Sequence, residues 1–244
     1  DLIVTGVQTC ALPICLRLFS MFCCSLALLF SASRAAADYY GEPAELVERS
    51  ASVYKGFMAD PNMEWFQRNV NQARGIFIVP QTLRGGFIIG GSGGRGALLA
   101  QDQSNGKWSS PAFYSMGSVS FGFQAGADAS EIILLIMTDR GLNAMLSTDY
   151  KLGADVAVAA GPMGASAKAQ TADILAFGRS QGIYGGVSLE GAAISPLDDW
   201  NRQYYGKPVQ VFDILINQKW NNSQANPLRG LLPKPGRNAQ PIGR

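Results

Sequence analysis

The chain of 244 residues is long enough for one sizeable domain or two small ones. Its composition, 47% hydrophobic and 16% charged, is typical of a globular protein and unlike that of a disordered chain. The formal net charge of +2 argues against a dedicated nucleic-acid-binding protein, and the absence of histidine removes the commonest general base and metal ligand.

The first 15 residues are interpreted as an artefact. The segment Val4–Ile14, VTGVQTCALPI, resembles a translated DNA-sequencing adapter. On this interpretation Cys10 and Cys15 have no biological role. The other two cysteines, Cys23 and Cys24, also precede the expected domain, so no disulfide or soft-metal site is expected within it.

Residues 16–37 predict a secretory signal peptide. Leu16–Phe30 is apolar apart from Arg17, and three alanines, Ala35 to Ala37, precede Asp38. A short apolar stretch followed by small residues is the pattern of a cleavable leader, with cleavage expected after Ala37. A membrane anchor is the alternative, but about 15 apolar residues fall short of the ~20 needed to span a bilayer.

Two helices are predicted at the start of the mature chain. Glu42–Ala59 is amphipathic, and its apolar residues recur at helical spacing. The Asp60-Pro61 pair supplies an N-cap and a first-turn proline for a second helix. The predicted inner face of the first helix comprises Leu46, Ser50, Val53, Tyr54 and Phe57, and that of the second comprises Met63, Phe66 and Val70.

From Arg74 onward the sequence predicts short strands, interrupted by one helix over Asp139–Ser147. Asn105-Gly106 indicates a hairpin turn. Ser118–Ala127 alternates between apolar residues and a face of serine, glycine and glutamine, as a half-buried strand does. The predicted strands are Gly75–Pro80, Phe87–Ile89, Gly96–Gln101, Lys107–Tyr114, Ser118–Ala127, Glu131–Thr138, Asp155–Ala160, Ala165–Phe177 and Gly182–Leu189.

The C-terminal part predicts a helical region followed by a tail. Ser195–Asp198 has the pattern of a capping box, with Asp198 and Asp199 in the first turn of a helix. Residues 226–244 are rich in proline, glycine and basic residues and predict a flexible tail. Together the elements predict an α+β fold: an antiparallel, β-rich, barrel-like core with N-terminal helices and a C-terminal helical region.

The sequence contains no complete motif for catalysis or nucleotide binding. The run Gly91–Gly96 matches G-x-G-x-x-G, but the fingerprint needs a following helix and a later acidic residue, and both are missing. A flexible or tightly turning glycine loop beside Arg95 is the expectation. A serine nucleophile would lack a base. Asp128 and Glu131 leave a carboxylate hydrolase or a calcium site as alternatives, yet no enzyme, metal or cofactor is expected.

The mature sequence resembles the SYLF domain, found in actin-patch and endosomal proteins and in many bacterial secreted proteins. The likeness covers nearly all of residues 38–225, the expected domain. The segments that carry it are ARGIFIVP (73–80), GGFIIG (85–90), WSSPAF (108–113), SFGFQAG (120–126), LGAD (152–155) and GIYGGVSLEG (182–191).

The resemblance implies binding of membrane lipids, notably acidic phospholipids and phosphoinositides, and no enzymatic activity. It also implies actin binding for the yeast members, from which the predicted signal peptide would separate this protein. We therefore expect a periplasmic or membrane-peripheral protein that binds anionic phospholipid. An envelope protein-interaction module without a lipid ligand is the alternative.

Four cations are candidates for contacting lipid headgroups. Arg84, Arg95, Lys107 and Lys168 each adjoin a glycine-rich segment, a turn or an alternating strand. Cations at such positions could meet phosphate while neighbouring apolar surface meets acyl chains. An ordinary solvated charge is the alternative for each of them.

The leader makes the first testable prediction. If the chain is exported by a bacterial host, N-terminal sequencing of the mature protein is expected to begin at Asp38, because cleavage follows Ala37. A mature protein that retains residues 16–37 would contradict this. Finding the adapter's nucleotides in the source DNA would confirm the artefact, and their absence would refute it.

Overall fold

The amphipathic segment at the start of the domain forms the predicted helix, α1 (Pro43–Ala59). The computed structural model describes residues 42–86, 89–121, 126–147, 150–162, 172–189 and 191–234. Every side chain predicted for the inner face of α1 is buried. Its one polar member, Ser50, donates its hydroxyl to the carbonyl of Leu46 at 2.7 Å, which satisfies it inside the core. The proposed adapter and signal peptide lie outside the described residues.

The second predicted helix begins where the sequence indicated. Asp60 caps a 3-10 turn, Pro61–Met63, by accepting a hydrogen bond from the backbone N–H of Asn62 at 2.8 Å. Helix α2 (Glu64–Asn69) and a further 3-10 turn, Val70–Gln72, follow. The predicted inner-face residues of this segment are all buried.

The rest of the described chain consists of strands and short helices. The strands are β1 (Gly75–Gly86), β2 (Ile89–Ala100), β3 (Ala112–Phe121), β4 (Gly126–Ile136), β5 (Tyr150–Lys151), β6 (Val158–Ala160), β7 (Ile174–Ser180), β8 (Ile183–Gly186) and β9 (Ala193–Pro196). The helices are α3 (Asp139–Met145), α4 (Asp198–Tyr205), α5 (Val211–Leu215) and α6 (Asn226–Leu231), with a 3-10 turn at Ser223–Ala225 before α6. Among the helices of the described ranges, none is long and apolar enough to cross a membrane.

The strands form one mixed sheet. Its order is β5-β9-β3-β2-β1-β4-β7-β6, and β8 also pairs with β7. Every pairing is antiparallel except that of β6 with β7. The predicted α+β class with an antiparallel, β-rich core between N-terminal and C-terminal helices is therefore confirmed.

Alternation along β1 divides the apolar side chains between two cores. Ile76 and Ile78 lie on the α1 face of the sheet, where they pack with side chains of α1, α2, α4 and α6. Phe77 and Val79 lie on the α3 face, where they pack with side chains of α3 and α5. Because successive residues of a strand point to opposite sides, one short apolar run serves both cores.

The glycine-rich run 91–96 is a strand, so the expected glycine loop is wrong. These residues pair with β1 on one side and β3 on the other. The following segment turns into the predicted hairpin, closed by Asp102, whose carboxylate accepts from the backbone N–H of Ser104 at 2.8 Å. A hairpin cannot provide the helix that a dinucleotide fingerprint requires.

Two glycines of this run fit a bulge in β1. The register of β1 shifts between Ile78 and Gln81 relative to β2. A Cβ on Gly94 would lie 2.6 Å from the carbonyl oxygen of Gln81, and one on Gly96 would lie 2.6 Å from that of Ile78. A Cβ on Gly93, in contrast, would meet nothing closer than 3.8 Å. Packing thus requires glycine at positions 94 and 96 but not at position 93.

Two C-terminal expectations need correction. Ser195 lies in β9, and α4 begins after Leu197 without a side-chain cap, so the predicted capping box is wrong. The tail expected from residue 226 begins with α6, whose Leu228 is buried in the core, as is Leu232 after it. Sheet pairing explains the first difference and apolar burial the second. Residues 235–244 lie outside the described ranges.

Asp173, just before β7, links the segment that follows β4 to the segment that precedes β6. Its carboxylate accepts from the hydroxyl of Thr138 at 2.6 Å, the Nε of Arg140 at 2.9 Å and the backbone N–H of Ala157 at 3.1 Å. Burial opposes ionisation of Asp173, but these hydrogen bonds outweigh it and hold the pKa below its usual value.

The pKa of Asp173 predicts how stability depends on pH. A depressed folded-state pKa adds stability above the unfolded pKa of about 4, and that stability is lost as the pH falls through the folded value. Asp173→Asn is therefore expected to lower the free energy of unfolding at pH 7 by about 2 kcal/mol. Urea denaturation at pH 7 and pH 3 checks this: the gap between wild type and variant should narrow at pH 3. A constant gap would contradict it.

The bulge predicts opposite outcomes for two similar substitutions. Gly96→Ala is expected to lower the free energy of unfolding by about 2 kcal/mol or more, because its methyl group meets a backbone carbonyl that cannot move freely. Gly93→Ala in the same strand should be neutral or stabilising by up to about 1 kcal/mol. Thermal and urea denaturation measure both, and equal effects would refute the distinction.

Candidate functional site

The structure separates the cations that the sequence selected. Arg84 lies near the end of β1, as the Cα partner of Ser92, and Arg95 lies three positions further along β2. Lys107 is exposed in the loop after β2. At the usual rise per strand residue, it lies roughly 30 Å from Arg84 along the direction of the strands. Lys168 lies outside the described residues. The three described positions do not converge on one site.

Arg95 contributes to packing. Its guanidinium lies 4.6 Å from the ring centroid of Trp200, in a cation–π contact. Trp200 belongs to α4 and itself makes an edge contact with Phe113 of β3 at 6.0 Å between centroids. The half-buried Arg95 thus helps to hold α4 on the α1 face.

The carboxylate that had suggested a hydrolase is engaged elsewhere. Glu131 forms an ion pair with Arg179, whose guanidinium also donates to the hydroxyl of Tyr184 at 3.0 Å. The hydrogen bond to Glu131 raises the pKa of Arg179 more than burial lowers it, so the guanidinium stays protonated. Within the described ranges, no three acidic, cysteine or histidine residues cluster closely enough to hold a metal ion.

Lys107 adjoins a group of cationic and apolar side chains that the sequence analysis did not select. The amide of Gln218 donates to the carbonyl of Lys107 at 3.5 Å, which brings the segment after α5 beside the β2–β3 loop. We call this surface the α5 patch. Its members are Lys107, Lys207, Phe212, Ile216, Lys219, Trp220, Arg229 and Lys234.

Helix α5 is apolar on two sides. Ile214 and Leu215 are buried in the core of the α3 face. Phe212 and Ile216, four residues apart and hence on one side of the turn, are 48% and 39% exposed. An exposed pair of large apolar side chains beside a buried pair is not needed for packing, which makes it a candidate contact surface.

Cations precede and follow this apolar pair along the chain, at Lys207 and Lys219. The Nζ of Lys207 lies 3.6 Å from the ring centroid of Trp220. Lys219 forms an ion pair with Asp213 at 2.8 Å, and its hydrogen bond, with that of Asn217, lowers the pKa of Asp213. Since the patch holds five cations, pairing one of them with a carboxylate leaves it positively charged.

Long-range hydrogen bonds fix the base of the patch. Arg229 donates to the carbonyl of Trp108 at 3.1 Å and to the side chain of Asn221 at 2.8 Å. The indole N–H of Trp108 donates to the carbonyl of Pro233 at 2.9 Å. These bonds tie the segment after α5, the β2–β3 loop and the end of α6 together, so the patch is presented on ordered backbone.

A sequence signal for α5 existed but was weak. The run Val211–Leu215 is apolar except for Asp213, and a helical reading places Phe212 and Ile216 on one side. A five-residue run cannot by periodicity alone be assigned to helix or strand. The nearness of Lys107 depends on residues more than 100 positions apart, which no local pattern reveals.

Comparison with known proteins gives a consistent set of relatives. Residues 117–234 match the family described as "Ysc84: Las17-binding protein actin regulator". The match ends where the described chain ends and includes every member of the α5 patch except Lys107.

Several curated proteins are similar over most of this chain. The human "SH3 domain-containing YSC84-like protein 1" is 28% identical over 169 residues, which cover 67% of this chain and 49% of the relative. "Protein YSC84" of Saccharomyces cerevisiae is 29% identical over 199 residues, covering 76% and 42%. "LAS seventeen-binding protein 3" of the same species is 28% identical over 180 residues, covering 70% and 39%. The chain thus spans half or less of the length of these relatives.

Proposed function

The chain belongs to the SYLF-domain family, and on that premise we propose that it binds membrane surfaces rich in anionic phospholipid and catalyses no reaction. One observation carries the proposal: Phe212 of α5 and Ile216 directly after it are exposed, in a segment that also carries Lys219 and the cation–π pair of Lys207 with Trp220. The description of the matched family and the name of one relative support a binding role.

The two kinds of side chain in the α5 patch suit the two layers of a membrane surface. Each lysine or arginine near an anionic leaflet contributes about 1 kcal/mol of attraction. Apolar side chains such as Phe212 and Ile216 add binding energy by entering the boundary between headgroups and acyl chains. Trp220, with Lys207 over its ring, has the amphipathic character of interfacial tryptophan.

The cell envelope is the proposed location. The predicted signal peptide, residues 16–37, would carry the domain across the inner membrane. A periplasmic or membrane-peripheral domain would meet anionic bacterial phospholipids and not phosphoinositides. In this proposal, residues 16–37 direct export, and the α5 patch contacts the membrane surface.

A protein-binding function is the second candidate. One relative is named for binding Las17, and the matched family is described as an actin regulator. An exposed apolar pair with flanking cations would also suit an acidic protein surface. Capture of one stoichiometric partner by the purified protein, without lipid binding, would favour this candidate.

Vesicle co-sedimentation tests the lipid proposal. Wild-type protein is expected to bind phosphatidylcholine vesicles that contain phosphatidylglycerol, and to bind pure phosphatidylcholine vesicles far more weakly. Lys207→Gln with Lys219→Gln should weaken binding by about 2 kcal/mol, roughly thirty-fold, because two attractive charges are lost. Phe212→Ser with Ile216→Ser should also weaken binding, and its effect should persist in moderate salt, which screens charge but not apolar contact.

A matched control comes from α1. Lys55 and Met58 are likewise an exposed cation and an exposed apolar residue on one helix. Lys55→Gln with Met58→Ser should leave vesicle binding unchanged. Loss of binding in this control alone would move the contact to α1, and absence of wild-type binding to either vesicle would overturn the proposed function.

A further inference from the structure

A cleft of about 400 Å³ opens on the α3 face of the sheet, and it shares no lining residue with the α5 patch. Its floor crosses the four strands β1 to β4, each of which contributes one hydroxyl group. Those groups belong to Thr82, Ser92, Ser118 and Ser130. The volume falls within the range of sites that hold small molecules.

Two hydroxyl groups of the floor form a hydrogen-bonded pair, and a third bonds to a backbone carbonyl. Ser92 and Ser118 are cross-strand partners, and their hydroxyl oxygens lie 2.7 Å apart. Thr82 and Ser130 are partners in the next pair of strands, and the Thr82 hydroxyl donates to the carbonyl of Ser130 at 2.9 Å. Each hydroxyl oxygen has two acceptor sites and can accept a further hydrogen bond from a ligand.

The opposite wall of the cleft is preformed and carries apolar side chains. Val187 and Leu189 line it together with Gln181 and Ser188, and the lining residue Ile183 has 76% of its surface exposed. A Cβ on Gly178 would lie 2.6 Å from Val187, so glycine at this position lets the wall approach β7 closely. The backbone N–H of Val187 donates to the carbonyl of Ala176 at 3.1 Å, which fixes the wall in place.

The lining offers no uncommitted charge among its described members. Arg179 is its one ionised residue, and its guanidinium is held by Glu131 and Tyr184. A ligand with a net negative charge would have to compete with Glu131 for Arg179. The hydroxyl groups of the floor and the aliphatic side chains of the wall favour a neutral molecule with a polar and an apolar part.

We propose that this cleft binds one neutral amphiphile with a hydroxyl-bearing head group, of the class of monoacylglycerols and alkyl glycosides. The head group lies on the floor, where Ser92 and Ser118 hydrogen-bond to it. The alkyl chain follows Val187 and Leu189 towards Ile183. This site differs from the α5 patch in position and in charge, so it does not depend on the proposed binding of anionic membranes.

Calorimetric titration with 1-octanoylglycerol and with octyl glucoside, each below its critical micelle concentration, tests the proposal on the full chain. Wild type should bind at least one probe at a single saturable site. Ser92→Ala with Ser118→Ala should weaken that binding about tenfold or more. Because both partners of the hydroxyl pair are removed together, the variant leaves no unpaired group and should remain folded.

Two matched variants identify the site. Ser115→Ala removes a hydroxyl from the opposite face of β3, where it bonds to the carbonyl of Ser195, and should bind the probes as wild type does. Phe212→Ser with Ile216→Ser should also retain probe binding while losing vesicle binding. Absence of saturable binding by wild type would overturn the proposal, as would equal affinity in the Ser92/Ser118 and Ser115 variants. Loss of probe binding in the Phe212/Ile216 variant would also overturn it. So would tighter binding of octanoylglycerol phosphate than of octanoylglycerol.

Discussion

The fold depends on one strand that is paired on both edges and buried on both faces. β1 pairs with β2 and β4 from Gly75 to Gly86, and its apolar run supplies both cores. Each face must therefore be covered by helices along this run. Beyond the bulge and the end of the apolar run at Val79, β1 continues with Thr82 and Leu83 into a hydroxyl- and glycine-rich part of the sheet. The cleft lies on this part.

The two candidate binding surfaces arise from different physical conditions. The cleft exists because polar positions within four strands and a segment held close by Gly178 leave a gap that the core does not fill. The α5 patch exists because a helix too short to bury all its apolar residues leaves Phe212 and Ile216 exposed. Cations from the β2–β3 loop and α6 join the patch through the contacts that tie these two segments together. One surface is thus a cleft whose described charge is already paired, and the other is exposed and cationic.

Sequence reasoning succeeded where local pattern and tertiary environment agree. The inner face of α1, the cap at Asp60 and the hairpin around Asn105 were all predicted, because helical spacing and turn chemistry act over a few residues. It failed where the pairing of strands from distant parts of the chain determines the local structure. The Gly91–Gly96 run has the composition of a loop, yet two neighbouring strands hold it extended. Ser195 has a capping pattern, yet pairing with Ser115 places it in a strand.

The sequence by itself determined the class of the fold, the resemblance to the SYLF family and the N-terminal helices, since these depend on hydrophobic period, cap and turn residues and ordered glycine motifs. It also selected Lys107, a member of the α5 patch, without its neighbours. Only the tertiary structure decided which cations lie together and which glycines the packing requires. The reason is physical: Lys107 meets Gln218, and Gly96 meets Ile78, through contacts between distant segments, and local preference does not encode such contacts.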